Sequence, residues 1–199
     1  MSLSFEELVE IYNTKFKPAY ADLVGYIGDR PYDILVELEN TLSHIFVSLD
    51  SDVPEEVRED NIRKAYNHII RATLDCYKLL WVRLDEEIEK IFGSDVDMLA
   101  LTISEEEFLR LRAQFKEKAI EARRRELNGV GKDPLQSIRD YREVVEIGMK
   151  IVKSIDENKK KRAWKFRLRS KWWELGLAFL LGVVSGVFAN VIYNRFFTS

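Results

Sequence analysis

Residues 54–93 read PEEVREDNIRKAYNHIIRATLDCYKLLWVRLDEEIEKIFG. Proline opens this stretch and glycine closes it; proline suits a helix's first turn and glycine its end. Between them Ile62, Ile69, Thr73, Cys76, Leu80, Leu84, Ile88 and Ile91 recur at steps of three, four or seven residues. That spacing lines one face of a helix. The pattern predicts one long helix from Pro54 to Phe92, with Gly93 as its stop.

The same period runs through the flanking sequence, and no stretch sustains an alternation of two. Ser4-Phe5-Glu6-Glu7 has the form of a capping box, in which the serine and the glutamate satisfy each other's backbone N–H groups. A first helix is expected from there to about Gly25, with Pro18 as a kink or break. Pro31 suits the first turn of a second helix ending near Leu49. Ser104-Glu105-Glu106-Glu107 opens another, with Phe108, Leu111, Phe115 and Ala119 facing inward and a stop at Asn128-Gly129. After the turn 129–134 comes a fifth helix with heptad spacing. Ile138, Val145 and Val152 hold one seam position, and Tyr141, Gly148 and Ile155 the other. No proline or glycine interrupts residues 149–175, so this helix is expected to run on unbroken. No internal repeat marks a solenoid. The fold class expected is all-α: a cytosolic multi-helix bundle with long helices, continuing into one C-terminal transmembrane helix.

The last part of that expectation comes from charge. Among 199 residues, 33% are charged and 46% hydrophobic, with a net charge of −3 and one cysteine. This excludes disordered, collagen-like and disulfide-built chains. A mean hydropathy of −0.23 hides an uneven distribution. Residues 1–157 hold 33 acidic and 22 basic residues, a net of −11. Residues 158–171, NKKKRAWKFRLRSK, hold eight basic residues and no acid. Residues 175–193, LGLAFLLGVVSGVFANVIY, carry no charge. About 20 apolar residues in a helix span the hydrocarbon core of a bilayer, and Trp172, Trp173 and Tyr193 stand where aromatic side chains favour the headgroup zone. The basic excess before the span places the N-terminal side in the cytoplasm.

The expected organisation is a helical domain over 1–157, a polybasic segment over 158–171, a transmembrane helix over 172–195 and a short external tail over 196–199. The start, MSLSFEELVE, lacks the basic and apolar regions of a cleaved signal. Cys76 alone fits a reducing compartment.

Chemistry is sparse. With two histidines, no Glu-x-x-His pair and one cysteine, neither a di-iron site nor a cysteine-based zinc site is expected; no cofactor is called for. Gly129-Val130-Gly131-Lys132 lacks the first glycine and the Ser/Thr of a phosphate loop. Arg63-Lys64-Ala65-Tyr66-Asn67-His68 has Arg-x4-His form and resembles the ribonuclease motif of HEPN domains. The resemblance implies that Arg63 stabilises a phosphate and His68 moves a proton, across an interface between two protomers.

The basic run combines Lys159, Lys160, Lys161, Arg162, Lys165, Arg167, Arg169 and Lys171 with Trp164, Phe166, Leu168, Trp172 and Trp173. Beside a bilayer, anionic lipid headgroups are its nearest partners; nucleic acid is not expected against an acidic body. Within the span Ala178, Gly182, Gly186 and Asn190 follow at four-residue steps, with Ser185 and Ala189 beside them. Gly-x-x-x-Gly lets two helix backbones approach closely, so a homo-oligomer is expected. The leading functional expectation is a membrane-anchored helical protein, not an enzyme, that self-associates through its span and presents its body to an unknown protein partner. In architecture it resembles membrane effectors of prokaryotic antiviral defence, whose assembled spans form pores or disrupt the membrane. The alternative is a membrane-tethered HEPN-like ribonuclease using Arg63 and His68.

Overall fold

The computed structural model describes residues 3–129 and 133–197, with side chains up to residue 187. The protein is an all-helical, multi-helix bundle. Its helices are α1 (Phe5–Ile11), α2 (Lys17–Ile27), α3 (Tyr32–Leu49), α4 (Glu55–Phe92), α5 (Asp95–Leu99), α6 (Glu105–Asn128), α7 (Pro134–Val152) and α8 (Glu157–Phe197). A π-helical turn, Tyr12–Phe16, joins α1 to α2. Two compact units are formed: Met1–Lys90 with Ile103–Ser154, and Ile91–Thr102 with Ile155–Ser199.

In the first unit α4 is the organising element. Ile69, Thr73, Cys76, Leu80, Leu84 and Ile88 of the expected stripe are buried, whereas Ile62 is half-buried. Each buried Leu or Ile contributes roughly 1.5–3 kcal/mol of transfer free energy. The Thr73 hydroxyl donates to the Ile69 carbonyl at 2.7 Å, which satisfies it within the apolar stripe.

Helices α3, α6 and α7 pack along α4. Helix α3 meets it through His68 and Glu37, 2.5 Å apart. Helix α6 meets it through Arg112, which grips Glu89 with two nitrogens at 3.0 and 2.8 Å. Helix α7 meets it through the tilted ring pair Trp81–Tyr141. Gly148 on α7 permits this close approach. A Cβ there would lie 2.8 Å from the Phe115 ring and 3.0 Å from Leu84 Cδ1.

The capping box is present in full: Ser4 Oγ accepts from Glu7 N at 3.2 Å, and Glu7 Oε2 accepts from Ser4 N at 2.8 Å. Pro18 produces a π turn where the sequence suggested a kink. Its ring has no N–H and would crowd the carbonyl four residues back in an α-helix. Here the chain widens by one residue, and Lys17 N reaches Tyr12 O. Helix α2 runs on to Ile27 and is closed by Gly28 at φ 72°, in the left-handed region that glycine adopts freely. Ser104 caps α6 as its sequence predicts, and Gly129 N closes that helix on Arg125 O at 2.8 Å. Residues 130–132 of the following turn lie outside the described residues.

The expectation of one unbroken helix through residues 149–175 is wrong. Helix α7 ends at Val152, and α8 starts anew at Glu157. Asp156 makes the break without proline or glycine. Its carboxylate accepts from Asn158 N at 2.8 Å and Lys159 N at 3.1 Å, as an N-cap does. Ile155 therefore leaves the heptad seam and forms an isolated antiparallel bridge with Leu101.

In the second unit, Ser94 caps the one-turn helix α5 through Asp97 N, an element the sequence reading passed over. Asp156 N donates to Ala100 O at 2.9 Å, which ties the start of α8 to the chain after α5.

Candidate functional site

Helix α8 has 41 residues, about 60 Å at 1.5 Å per residue. Its base is held by α5 and the residues just after it. Lys160 Nζ lies 2.8 Å from Asp97 Oδ1, Lys159 Nζ donates to Leu101 O at 3.1 Å, and Arg167 stands 3.6 Å from Asp95 Oδ2. Arg162 Nε donates to Asn158 O of its own helix at 3.3 Å. The basic collar thus has two kinds of member. Lys159, Lys160 and Arg167 are engaged with acids or carbonyls of their own unit, whereas Lys161, Lys165, Arg169 and Lys171 are exposed. Lys165, Leu168, Arg169, Trp172 and Trp173 line a shallow recess of about 390 Å³, where two cations and two indole rings face the same space.

Beyond the collar every described side chain up to Val187 is exposed. Leu175, Leu177, Phe179, Leu180, Leu181, Val183, Val184 and Val187 are between 48% and 71% accessible. At about 100° per residue they cover all but roughly a third of the helix circumference, and Ala178, Gly182 and Ser185 fill that remaining sector. Gly182 and Gly186 lie in the open, and a Cβ on either would meet nothing within 4 Å. Ala178 is exposed beside them. Ser185 turns its hydroxyl back onto its own helix, donating to Leu181 O, with Gly182 O at 3.4 Å. A hydroxyl satisfied this way leaves no polar group facing outward. The side chains of Ala189 and Asn190 lie outside the described residues. Among the described residues no helix is long and apolar enough to cross a membrane. The described side chains of the uncharged stretch stop at residue 187, and its continuation to 193 lies outside them.

Arg63 and His68 of the Arg-x4-His motif stand on different faces of α4. Arg63 is exposed and paired with Asp60, which also binds Lys64 at 2.8 Å. Five residues turn a helix by about 500°, which puts His68 on another face. There its Nδ1 meets Glu37 Oε2 at 2.5 Å, and Arg71 reaches the other Glu37 oxygen at 3.3 Å. The His68 ring stacks on His44 at 5.2 Å, and His44 Nδ1 meets Asn61 Oδ1 at 2.7 Å. The sequence held no signal for this pairing, because Glu37 and His44 come from another helix. Among the described residues no group of three or more His, Cys, Asp or Glu side chains is placed to hold a metal ion.

A second polar cluster gathers around Lys78 of α4. Tyr141, fully buried, donates to Glu126 Oε2 at 2.9 Å. Arg123 binds the same oxygen at 2.9 Å, and Lys78 binds Oε1. Burial and the Glu126 carboxylate push the Tyr141 hydroxyl up to about 12. Burial acts to raise Glu126 too, but hydrogen bonds from Lys78, Tyr141 and Arg123 outweigh it and hold the carboxyl below its ordinary value. This cluster ties α4, α6 and α7 together through one carboxylate.

No protein-family model, curated protein or solved structure matches this chain.

Proposed function

We propose that the protein is a membrane-anchored helical module whose C-terminal helix enters the bilayer and brings several copies together, with the acidic bundle offered to a partner in the cytoplasm. The observation that carries this is the surface of α8, apolar and exposed on all sides from Leu175 to Val187. A helix apolar all round needs an apolar environment around it. The exposed collar cations and the paired tryptophans Trp172 and Trp173 support an interfacial position at its base.

Gly182 and Gly186 support self-association. Each lies open on the helix surface, so their small size serves no packing among the described residues of the chain itself. Close backbone contact with a second α8 gives them a use. Lipid-driven assembly of this kind is the architecture from which a pore or a membrane lesion follows once several spans surround a common axis.

Arg63 and His68 carry the ribonuclease alternative with less support, since each is tied to an acidic partner on a separate face of α4.

The test is the mass of the full-length protein in mild detergent, beside Gly182→Leu and Gly186→Leu together. A defined oligomer that falls to monomer in the double variant, with both proteins still extracted only by detergent, supports assembly through the span. A wild-type monomer excludes it.

A further inference from the structure

The first unit carries an apolar groove of about 300 Å³ between α1 and α3. Phe5, Val9 and Tyr12 form one wall, and Leu38, Leu42 and Ile45 the other. Both sets follow the spacing i, i+4, i+7, so the walls run as two ridges with one period. Leu8, Thr41 and Ile69 make a buried floor. Thr41 directs its hydroxyl to Glu37 O at 2.8 Å, which leaves its methyl group for the groove. The outer edges are open: Val9 is 44% and Leu42 54% accessible. The apolar line on α3 continues past the groove to Phe46 at 69% and Leu49 at 64%. That is a larger exposed apolar face than scattered surface residues produce.

Charge narrows the occupant. Helices α1 and α3 carry Glu6, Glu7, Glu10, Asp33, Glu37 and Glu39, and neither contains a lysine or arginine. Glu7 serves the capping box and Glu37 binds His68 and Arg71, while Glu6, Glu10, Asp33 and Glu39 are exposed. Lys17, 5.7 Å from the centre of the Tyr12 ring, marks one end. Glu6 stands about 60° round α1 from Val9, and Glu39 about 60° round α3 from Leu42, so an exposed acid flanks each ridge. Such a trough is complementary to a helix with an apolar stripe flanked by cations.

We propose that this groove docks a basic amphipathic helix of a partner protein, with apolar anchors at i, i+4 and i+7 entering between the two ridges. This deepens the partner-presenting half of the function proposed above and does not depend on how α8 is anchored. Glu6 and Glu39 set the polarity of the partner and raise its association rate, while Val9 and Leu42 hold its anchors.

The experiment uses the full-length chain in phosphatidylcholine nanodiscs and a fluorescent synthetic helix with leucine at i, i+4, i+7 and i+11 and lysine elsewhere. A counterpart carries glutamate in place of every lysine. The lysine peptide is expected to bind at least about tenfold more tightly than the glutamate peptide. Val9→Asp and Leu42→Asp, both at exposed positions that leave the core intact, each weaken it at least about tenfold, and Glu6→Lys with Glu39→Lys narrows the preference between the peptides. Equal binding of the two peptides, binding unchanged by Val9→Asp and Leu42→Asp, or binding matched by empty discs overturns the proposal. So does a fall in oligomer mass caused by Leu42→Asp without peptide, which would make the groove a contact between copies. A chain that fails to enter the discs contradicts the anchor alone, and its peptide binding is then read in solution.

Discussion

Replacing Leu181 with arginine separates a membrane helix from an exposed helix in water. Leu181 is 65% accessible and lies in the uncharged stretch. In water the substitution removes little buried surface and costs the fold less than about 0.5 kcal/mol, as other exposed sites do. In a bilayer the balance differs. A leucine near the centre of a span contributes about −0.3 to −0.6 kcal/mol, and an arginine costs about 2.5–3.5 kcal/mol on an insertion scale. The exchange therefore weakens insertion by roughly 3–4 kcal/mol, on the order of several hundred-fold in partition. Adding Val184→Arg, at a position 50% accessible, doubles the penalty. The assay is flotation of the purified protein with lipid vesicles, scored as the fraction that rises with the lipid. Wild type floats, Leu181→Arg shifts toward the unbound fraction, and the double variant stays behind. Thermal unfolding of the body remains the same in all three. Equal flotation of the double variant would refute insertion of α8 through this segment.

Further outcomes follow from the packing of the body. Gly148→Ala puts a Cβ 2.8 Å from the Phe115 ring, and overpacking of this sort is expected to cost about 1–3 kcal/mol, read as a lower Tm. Hydrogen bonds from Arg112, then from Lys116, hold the Glu89 carboxyl down at about 2, against an ordinary 4.5. A depressed carboxylate contributes stability above its unfolded value and loses it as pH falls through the folded one. Unfolding titrations should thus show stability declining between about pH 4.5 and 2, with a shallower decline in Glu89→Gln. Burial pushes the Cys76 thiol up to about 12, so it should resist a thiol reagent at pH 8 in the folded chain and react after denaturation.

Local signals in the sequence carried most of the fold. Ser4 and Ser104 marked helix starts by side chains that close hydrogen bonds within three residues. Pro54 and Gly93 bounded the long helix to within a residue. The break at Lys153–Asp156 was missed because helices were ended only at proline or glycine. Asp156 ends the gap by capping the next helix, a signal present in Ser154-Ile155-Asp156-Glu157 and weaker than either. The heptad assignment of Ile155 failed with it. Pro18 was read as a kink because its effect on the preceding carbonyls is local, but whether the chain bends or widens depends on what Phe16 packs against. Phe16 is 2% accessible and stacks between Tyr12 and Tyr20.

For the candidate site, composition identified the collar and the uncharged stretch, since charge and hydropathy are properties of contiguous residues. The acidic partners Asp95 and Asp97 were invisible, because they lie far back in the chain from the residues they meet, Arg167 and Lys160. The same holds for Glu37 and His44 beside His68, and for the groove, whose walls come from α1 and α3.

Depth in the bilayer is measured directly by spin labels placed singly along α8, from Lys161 through Leu175, Leu181 and Val184 to Val187, in the vesicle-bound protein. Membrane insertion predicts that accessibility to oxygen rises and accessibility to a water-soluble nickel complex falls from Lys161 to Val184. Equal exposure to the nickel complex at Leu181 and at Lys161 would contradict it.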